Sequence, residues 1–179
     1  MKQEQKNEQA QHMQKIALAD LSAYVQKLLQ LPVFVIQTEQ ADQKDHALLI
    51  TLVGDLGAGK TTFVQALAKE LGVTESVLSP TYVIMKSYDI PAANQNRNTE
   101  QTISARRFAK LVHIDLYRLD KPEELSALKL GAVLADPANL VCIEWPERAG
   151  TLLPRPDLHL HLSSDGASEA ERFVEIIQG

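Results

Sequence analysis

An α/β fold layered on a mainly parallel sheet is what this sequence predicts, from three observations. Apolar runs of strand length alternate with helical stretches, the pattern of helices packed on a parallel sheet. One strand–helix joint carries Gly54-Asp55-Leu56-Gly57-Ala58-Gly59-Lys60-Thr61, a complete match to the phosphate-loop pattern G-x-x-x-x-G-K-[ST]. The last two strand-like runs, 158–162 and 172–177, read as antiparallel partners. The expected architecture is therefore a three-layer, P-loop NTPase-like fold with a mainly parallel central sheet and antiparallel C-terminal strands.

Each element has its own signal. Residues 1–14 are dominated by Gln, Lys, Glu and Asn and read as a disordered polar tail. Residues 15–179 then form one domain. Leu18, Leu21, Val25 and Leu28 recur at helical spacing, which predicts an amphipathic helix over 16–29 that Pro32 ends. Val33 to Ile36 reads as a short strand and 37–46 as a polar loop. Leu48-Leu49-Ile50-Thr51-Leu52-Val53 is an apolar run suited to a buried strand. Thr62 to Leu71 reads as a helix, with Gly72 placed to end it. Tyr82 to Tyr88 is the next predicted strand. The Asn-, Gln- and Thr-rich stretch 91–104 reads as a flexible insertion. Leu111 to Leu116 is a strand, and Asp120 caps a helix with Pro122 and Glu123 in its first turn. Asp136-Pro137 marks a turn before the strand 140–144. No internal repeat is visible.

Composition narrows the class. At 179 residues the chain is long enough for one domain with a substantial core, and its apolar share of 45% is that of a soluble globule. No run approaches the roughly 18 apolar residues of a membrane span, and the polar N-terminus lacks the apolar centre of a secretory signal. A cytoplasmic location is expected. The single Cys142 excludes an internal disulfide and lies in an apolar run, so it reads as core. A net charge of −5 argues against a broad nucleic-acid-binding surface, while leaving room for a small basic patch or for RNA contact through a partner.

The loop chemistry follows from its residue types. A phosphate loop wraps polyphosphate with backbone N–H groups, so it needs residues that turn tightly and admit close approach. Gly54, Gly57 and Gly59 supply that freedom. Lys60 reaches the outer phosphates and the Thr61 hydroxyl suits a magnesium ion. Strand before and helix after, beginning at Thr62, is the context that distinguishes this motif from a glycine-rich turn that binds nothing.

Hydrolysis also needs an acidic residue to fix the metal or orient water. Two apolar runs end in one: Leu111-Val112-His113-Ile114-Asp115 and Leu140-Val141-Cys142-Ile143-Glu144. Each carboxylate falls toward the end of a parallel strand, where ligands bind in such folds. One acid suits the magnesium and the other the attacking water; the competing reading is that one merely caps its strand. Arg118 and Arg148 follow the acids closely, and either suits neutralisation of charge on a transferring phosphoryl group. His159 and His161 share a strand face at metal-ligand spacing, but without a third ligand they read as a solvated face. Trp145 suits packing on the nucleotide, on a partner or in the core.

Four motifs in order, Gly54 to Phe63, Ser79-Pro80-Thr81-Tyr82, His113-Ile114-Asp115-Leu116-Tyr117-Arg118 and Ile143-Glu144-Trp145-Pro146-Glu147, resemble those of the TsaE family. This is the bacterial ATPase component of the tRNA threonylcarbamoyladenosine system. The resemblance runs from about Leu48 to Arg172, and weakly through the first helix. It implies a cytoplasmic ATP hydrolase using ATP and Mg2+. It also implies that the protein acts with TsaD, which transfers the threonylcarbamoyl group, and with the scaffold TsaB. tRNA would be met only through that complex, and no membrane is involved. Hydrolysis in the family is thought to reset the complex between turnovers. By resemblance, Thr61 and Glu144 hold the magnesium, Asp115 supports hydrolysis near the γ-phosphate and Glu147 reaches the nucleotide. Residues 79–82 and 115–118 are nucleotide-sensing segments. The chain departs from the family in the stretch 32–47 before the phosphate-loop strand and in the long insertion 91–104.

Three other readings compete. A small-molecule kinase shares the loop and magnesium logic but needs an acceptor pocket and an Arg-rich lid, for which Arg97, Arg106 and Arg107 are the candidates. A guanine-reading switch would carry Asn-Lys-x-Asp late in the chain, and no such run exists. A purely structural binder would not need two acids beside the loop.

Overall fold

The computed structural model describes residues 13–34, 45–92, 107–121, 124–125 and 128–177. Most of the predicted N-terminal tail, the bulk of the insertion and the helix start at Pro122 and Glu123 lie outside these residues.

In the described chain, β1 (Gln14–Ala17) leads through a short 3-10 turn into α1 (Leu21–Leu28). Then come β2 (Leu48–Val53), α2 (Lys60–Glu70), β3 (Met85–Asp89), β4 (Lys110–Asp115) and α3 (Leu130–Leu134). The chain closes with β5 (Asn139–Glu144), β6 (Leu158–Ser163) and β7 (Glu171–Ile177). The strands make one seven-stranded sheet in the order β1-β7-β6-β2-β5-β4-β3. Its centre, β6-β2-β5-β4, is parallel. Antiparallel pairs close both flanks, β3 on β4 and β7 between β6 and β1.

Strand β2 is apolar on both sides because both faces of the sheet are covered. Leu48, Ile50 and Leu52 join a core with Val25 and Leu28 of α1 and Phe63, Val64 and Leu67 of α2. On the opposite face Leu49 packs with Val112, Ile114, Val141 and Ile143, under Leu116, Leu119, Leu125 and Leu130. These two cores are the interfaces between the predicted three layers. Helix α2 stops where the glycine predicts: Gly72 takes φ 84°. Its N–H donates to the Lys69 carbonyl and the Val73 N–H to the Ala68 carbonyl, the paired bonds of a Schellman cap.

The structure differs from the sequence expectation at three boundaries. Ile16 belongs to strand β1, paired with Arg172, and the α-helix starts only at Leu21. The ladder on the open edge of β7 outcompetes a helical turn for residues 14–17. Val33 and Phe34 lie in a turn in which the Phe34 N–H donates to the Leu31 carbonyl, so neither is in the strand expected over 33–36, whose other two residues lie outside the described ones. Strand β3 begins at Met85 and not at Tyr82, because Val83 and Ile84 both donate to the Pro80 carbonyl and Ile84 sits at φ 65°. Among the described residues, no helix is long and apolar enough to cross a membrane.

Candidate functional site

The phosphate loop spans the gap between β2 and the N-terminus of α2; close approach requires one of its glycines and backbone conformation favours another. Gly54 has φ 140°, and a Cβ there would stand 2.1 Å from the Leu162 carbonyl oxygen of β6. Gly59 caps α2 at φ 97°, and its Cβ would meet the Arg172 side chain at 3.4 Å. Asp55, Leu56, Gly57 and Thr62 are exposed around the loop, while Ala58 is buried beneath it. The first N–H groups of α2 have no partners within the helix, so this end favours anions.

Lys60 is 4% exposed, yet its ammonium is well occupied. Nζ donates to the carbonyls of Gly54 (2.7 Å) and Asp55 (2.9 Å). It also stands 3.9 Å from the centroid of the Trp145 ring. Burial lowers the Lys60 pKa, opposed by the negative charges of Glu144, Asp115, Glu147 and Asp55.

The two acids come together because β4 and β5 run parallel in a register that pairs Asp115 with Glu144. Alternation along each strand then turns both carboxylates toward the face that carries α2. Glu144 Oε1 accepts from Thr61 Oγ1 at 2.8 Å, which ties β5 to the first turn of α2. Thr61 Oγ1 and the Glu144 carboxylate are hard oxygen donors of the kind magnesium requires, so the residues fit that ion. Asp115 lies on the adjoining strand. Its Oδ2 accepts from Ser79 Oγ at 2.8 Å and from Thr81 Oγ1, and its Oδ1 accepts from the Tyr117 N–H at 3.0 Å. Pro80, between the two hydroxyls, is buried. The guanidinium of Arg118 covers the Tyr82 ring at 4.1 Å. The segments 79–82 and 115–118 are therefore joined twice, by hydroxyl–carboxylate bonds and by a cation–π contact.

Trp145 leaves β5 in the left-handed region (φ 60°) and starts the 3-10 turn Pro146–Ala149. Its ring packs against Tyr117 at 5.1 Å, beneath the Lys60 ammonium. Glu147 is exposed in that turn, and its charge is felt at Lys60 and at His159. Arg148 is exposed in the same turn. Of the arginines suggested for a kinase lid, Arg97 and Arg106 fall outside the described residues, and Arg107 donates to the Val33 carbonyl at 3.0 Å.

One residue of the site escaped the sequence reading. His113 is completely buried, and its Nε2 stands 2.8 Å from the same Glu144 Oε1 that accepts from Thr61. The signal was present in the period of two: His113 shares the strand face of Asp115 two residues on. The pair His159 and His161 is half-buried and engaged elsewhere, with His159 Nδ1 lying 2.6 Å from Thr51 Oγ1 across the β6–β2 pair. Burial, then the neighbouring His161, lowers the His159 pKa, opposed by Glu147. Among the described residues no group of three or more His, Cys, Asp and Glu side chains is placed to hold a metal.

Comparison with known proteins identifies relatives of this chain. A protein from Nostoc named tRNA threonylcarbamoyladenosine biosynthesis protein TsaE is 36% identical over 132 residues, 72% of this chain and 68% of the relative. The Haemophilus influenzae protein of the same name is 30% identical over 118 residues, 66% of this chain and 64% of its own length. The crystal structure of Bacillus subtilis YdiB superposes with a TM-score of 0.54 at 21% identity, covering 92% of this chain and 85% of that one, which supports the fold. The family model described as threonylcarbamoyl adenosine biosynthesis protein TsaE matches residues 18–173, and the chain belongs to that family.

Proposed function

We propose that this protein hydrolyses ATP with Mg2+ in the cytoplasm, in support of threonylcarbamoyladenosine formation on tRNA, acting with TsaD and TsaB. The observation that carries the reading is the 2.8 Å bond from Thr61 to Glu144, which brings an acid from the neighbouring strand to the phosphate loop. Glu144 and Thr61 would hold the magnesium, which would neutralise phosphate charge.

The remaining steps belong to the chain. Loop N–H groups and the α2 N-terminus bind the phosphates, and Lys60 exchanges its carbonyl partners for phosphate oxygens. Asp115 orients the water that attacks the γ-phosphorus, releasing ADP and phosphate. In the arrangement described above, its oxygens are held by Ser79, Thr81 and the Tyr117 N–H. Freeing Asp115 therefore displaces the 79–82 segment, and the Arg118–Tyr82 contact passes that movement to 115–118. This is how hydrolysis becomes legible to a partner docked on Tyr82 or Trp145. Loops beside a γ-phosphate commonly order and release in this way.

The test is phosphate release by the purified protein, alone and with TsaD and TsaB. Magnesium-dependent release that rises when both partners are added is expected. No release under either condition overturns the hydrolase. Phosphate appearing on a small hydroxyl acceptor would establish a kinase in its place.

A further inference from the structure

Among the described residues His113 is the one fully buried histidine, set in the apolar run of β4. Its neighbours on that face, Leu111 along β4 and Cys142 opposite on β5, belong to the core that α2 covers. An apolar side chain would pack there without the cost of burying an imidazole. Nδ1 is buried and has no hydrogen-bond partner among the described residues. The ring's polar contact is Nε2 to Glu144 Oε1, at 2.8 Å. A carboxylate only accepts, so Nε2 carries the proton and donates. Buried polar groups are normally satisfied, and this ring is satisfied only toward Glu144.

The contact follows from register. Strands β4 and β5 run parallel, with His113 opposite Cys142 and Asp115 opposite Glu144. Alternation puts all four side chains on one face, so His113 reaches diagonally to Glu144. Glu144 is 3% exposed, and a buried carboxylate needs donors. Thr61 Oγ1 and His113 Nε2 both meet its Oε1, each at 2.8 Å. One donor belongs to the first turn of α2, beside the phosphate loop, and the other to an inner strand of the sheet.

We infer that His113 is a positioning residue for the magnesium site: its Nε2–H fixes the Glu144 carboxylate, so that Glu144 and Thr61 present their oxygens to the ion together. The inference rests on the magnesium reading above and adds the group that holds the acid in place. With Nε2 committed to Glu144, the ring acts on the ion only through that carboxylate. Magnesium demands near-ideal octahedral geometry, so a ligand free to rotate binds it less well. Outer partners of this kind typically account for about tenfold to a hundredfold in metal affinity.

Magnesium titrations of nucleotide binding in the parent, His113→Met, His113→Gln and Thr61→Ala test this. His113→Met removes the donor at similar volume, and its magnesium midpoint should rise roughly tenfold to a hundredfold. His113→Gln can offer an amide N–H to Glu144 and should recover most of that loss. A residue that only fills the core would move the thermal midpoint and leave the magnesium midpoint alone. An unmoved magnesium midpoint in folded His113→Met overturns the inference. So does a loss in His113→Gln as large as that in His113→Met. If neither variant folds, the parent decides by nuclear magnetic resonance. A slowly exchanging imidazole Nε2–H should be present and should shift when magnesium is added to the ADP-bound protein. Its absence, or no shift, overturns the inference. A shifted midpoint in Thr61→Ala with none in His113→Met strikes His113 alone and leaves the magnesium reading standing. A parent whose nucleotide binding ignores magnesium removes both.

Discussion

The ammonium of Lys60 rests 3.9 Å from the centroid of the Trp145 ring. It is held there by two carbonyls of its own loop, those of Gly54 and Asp55. Lys60 and the chain's only tryptophan are thus one contact, and on the function proposed above phosphate draws the cation from it.

Nucleotide binding should therefore change the fluorescence of Trp145, and Lys60→Ala should remove most of that change. The same variant should lose roughly tenfold to a hundredfold in ATP affinity, because charge-assisted bonds to phosphate contribute about 1.5–3 kcal/mol. Its thermal midpoint should stay near that of the parent. A full fluorescence response in Lys60→Ala would uncouple the two residues.

Glu144→Gln and Asp115→Asn should each fold and lose about a hundredfold or more in hydrolysis, the scale expected for removing a group that positions metal or water. They should differ in magnesium dependence. Glu144 bonds Thr61, so Glu144→Gln and Thr61→Ala should both shift the magnesium titration. Asp115 bonds Ser79 and Thr81, so Asp115→Asn should leave it in place and loosen 79–82, read by hydrogen exchange. Identical magnesium titrations in all three variants and the parent would contradict this division.

Gly54→Ala should destabilise the protein before any question of activity arises. The added Cβ meets the Leu162 carbonyl oxygen at 2.1 Å, in a backbone conformation at φ 140°. Strain of this kind costs about 1–3 kcal/mol, with displacement of β6 in addition. Gly57→Ala meets nothing within 4 Å and bears only its own φ of 82°, so it should be the milder of the two. Denaturant midpoints give the order directly.

Cys142 should resist thiol reagents in the native protein. It is fully buried on β5, and burial followed by the charge of Glu144 pushes its thiol well above the usual range. Labelling then requires opening of the central sheet. Magnesium and ATP at a hundred times the dissociation constant should slow it about a hundredfold, since such binding adds about 2.7 kcal/mol to stability. Rapid labelling of the folded protein would contradict the burial.

Local signals in the sequence determined the loop, the strand before it and the helix after it. The constraints there are short-range: glycine where the backbone turns, a 3.6-residue stripe for α2, and Gly72 to stop it. The two acids could be named for the same reason, since each closes an apolar strand. What no local pattern contains is strand order. Only the β4–β5 register pairs Asp115 with Glu144, and only alternation on those paired strands brings His113 against Glu144. Residues 14–17 became a strand because β7 offered an open edge, a partner more than 150 residues away. Arg172 reached Gly59 by the same long-range folding. Hydrogen bonding between strands and packing across layers act between residues distant in the chain, so tertiary structure alone decided which side chains share the site.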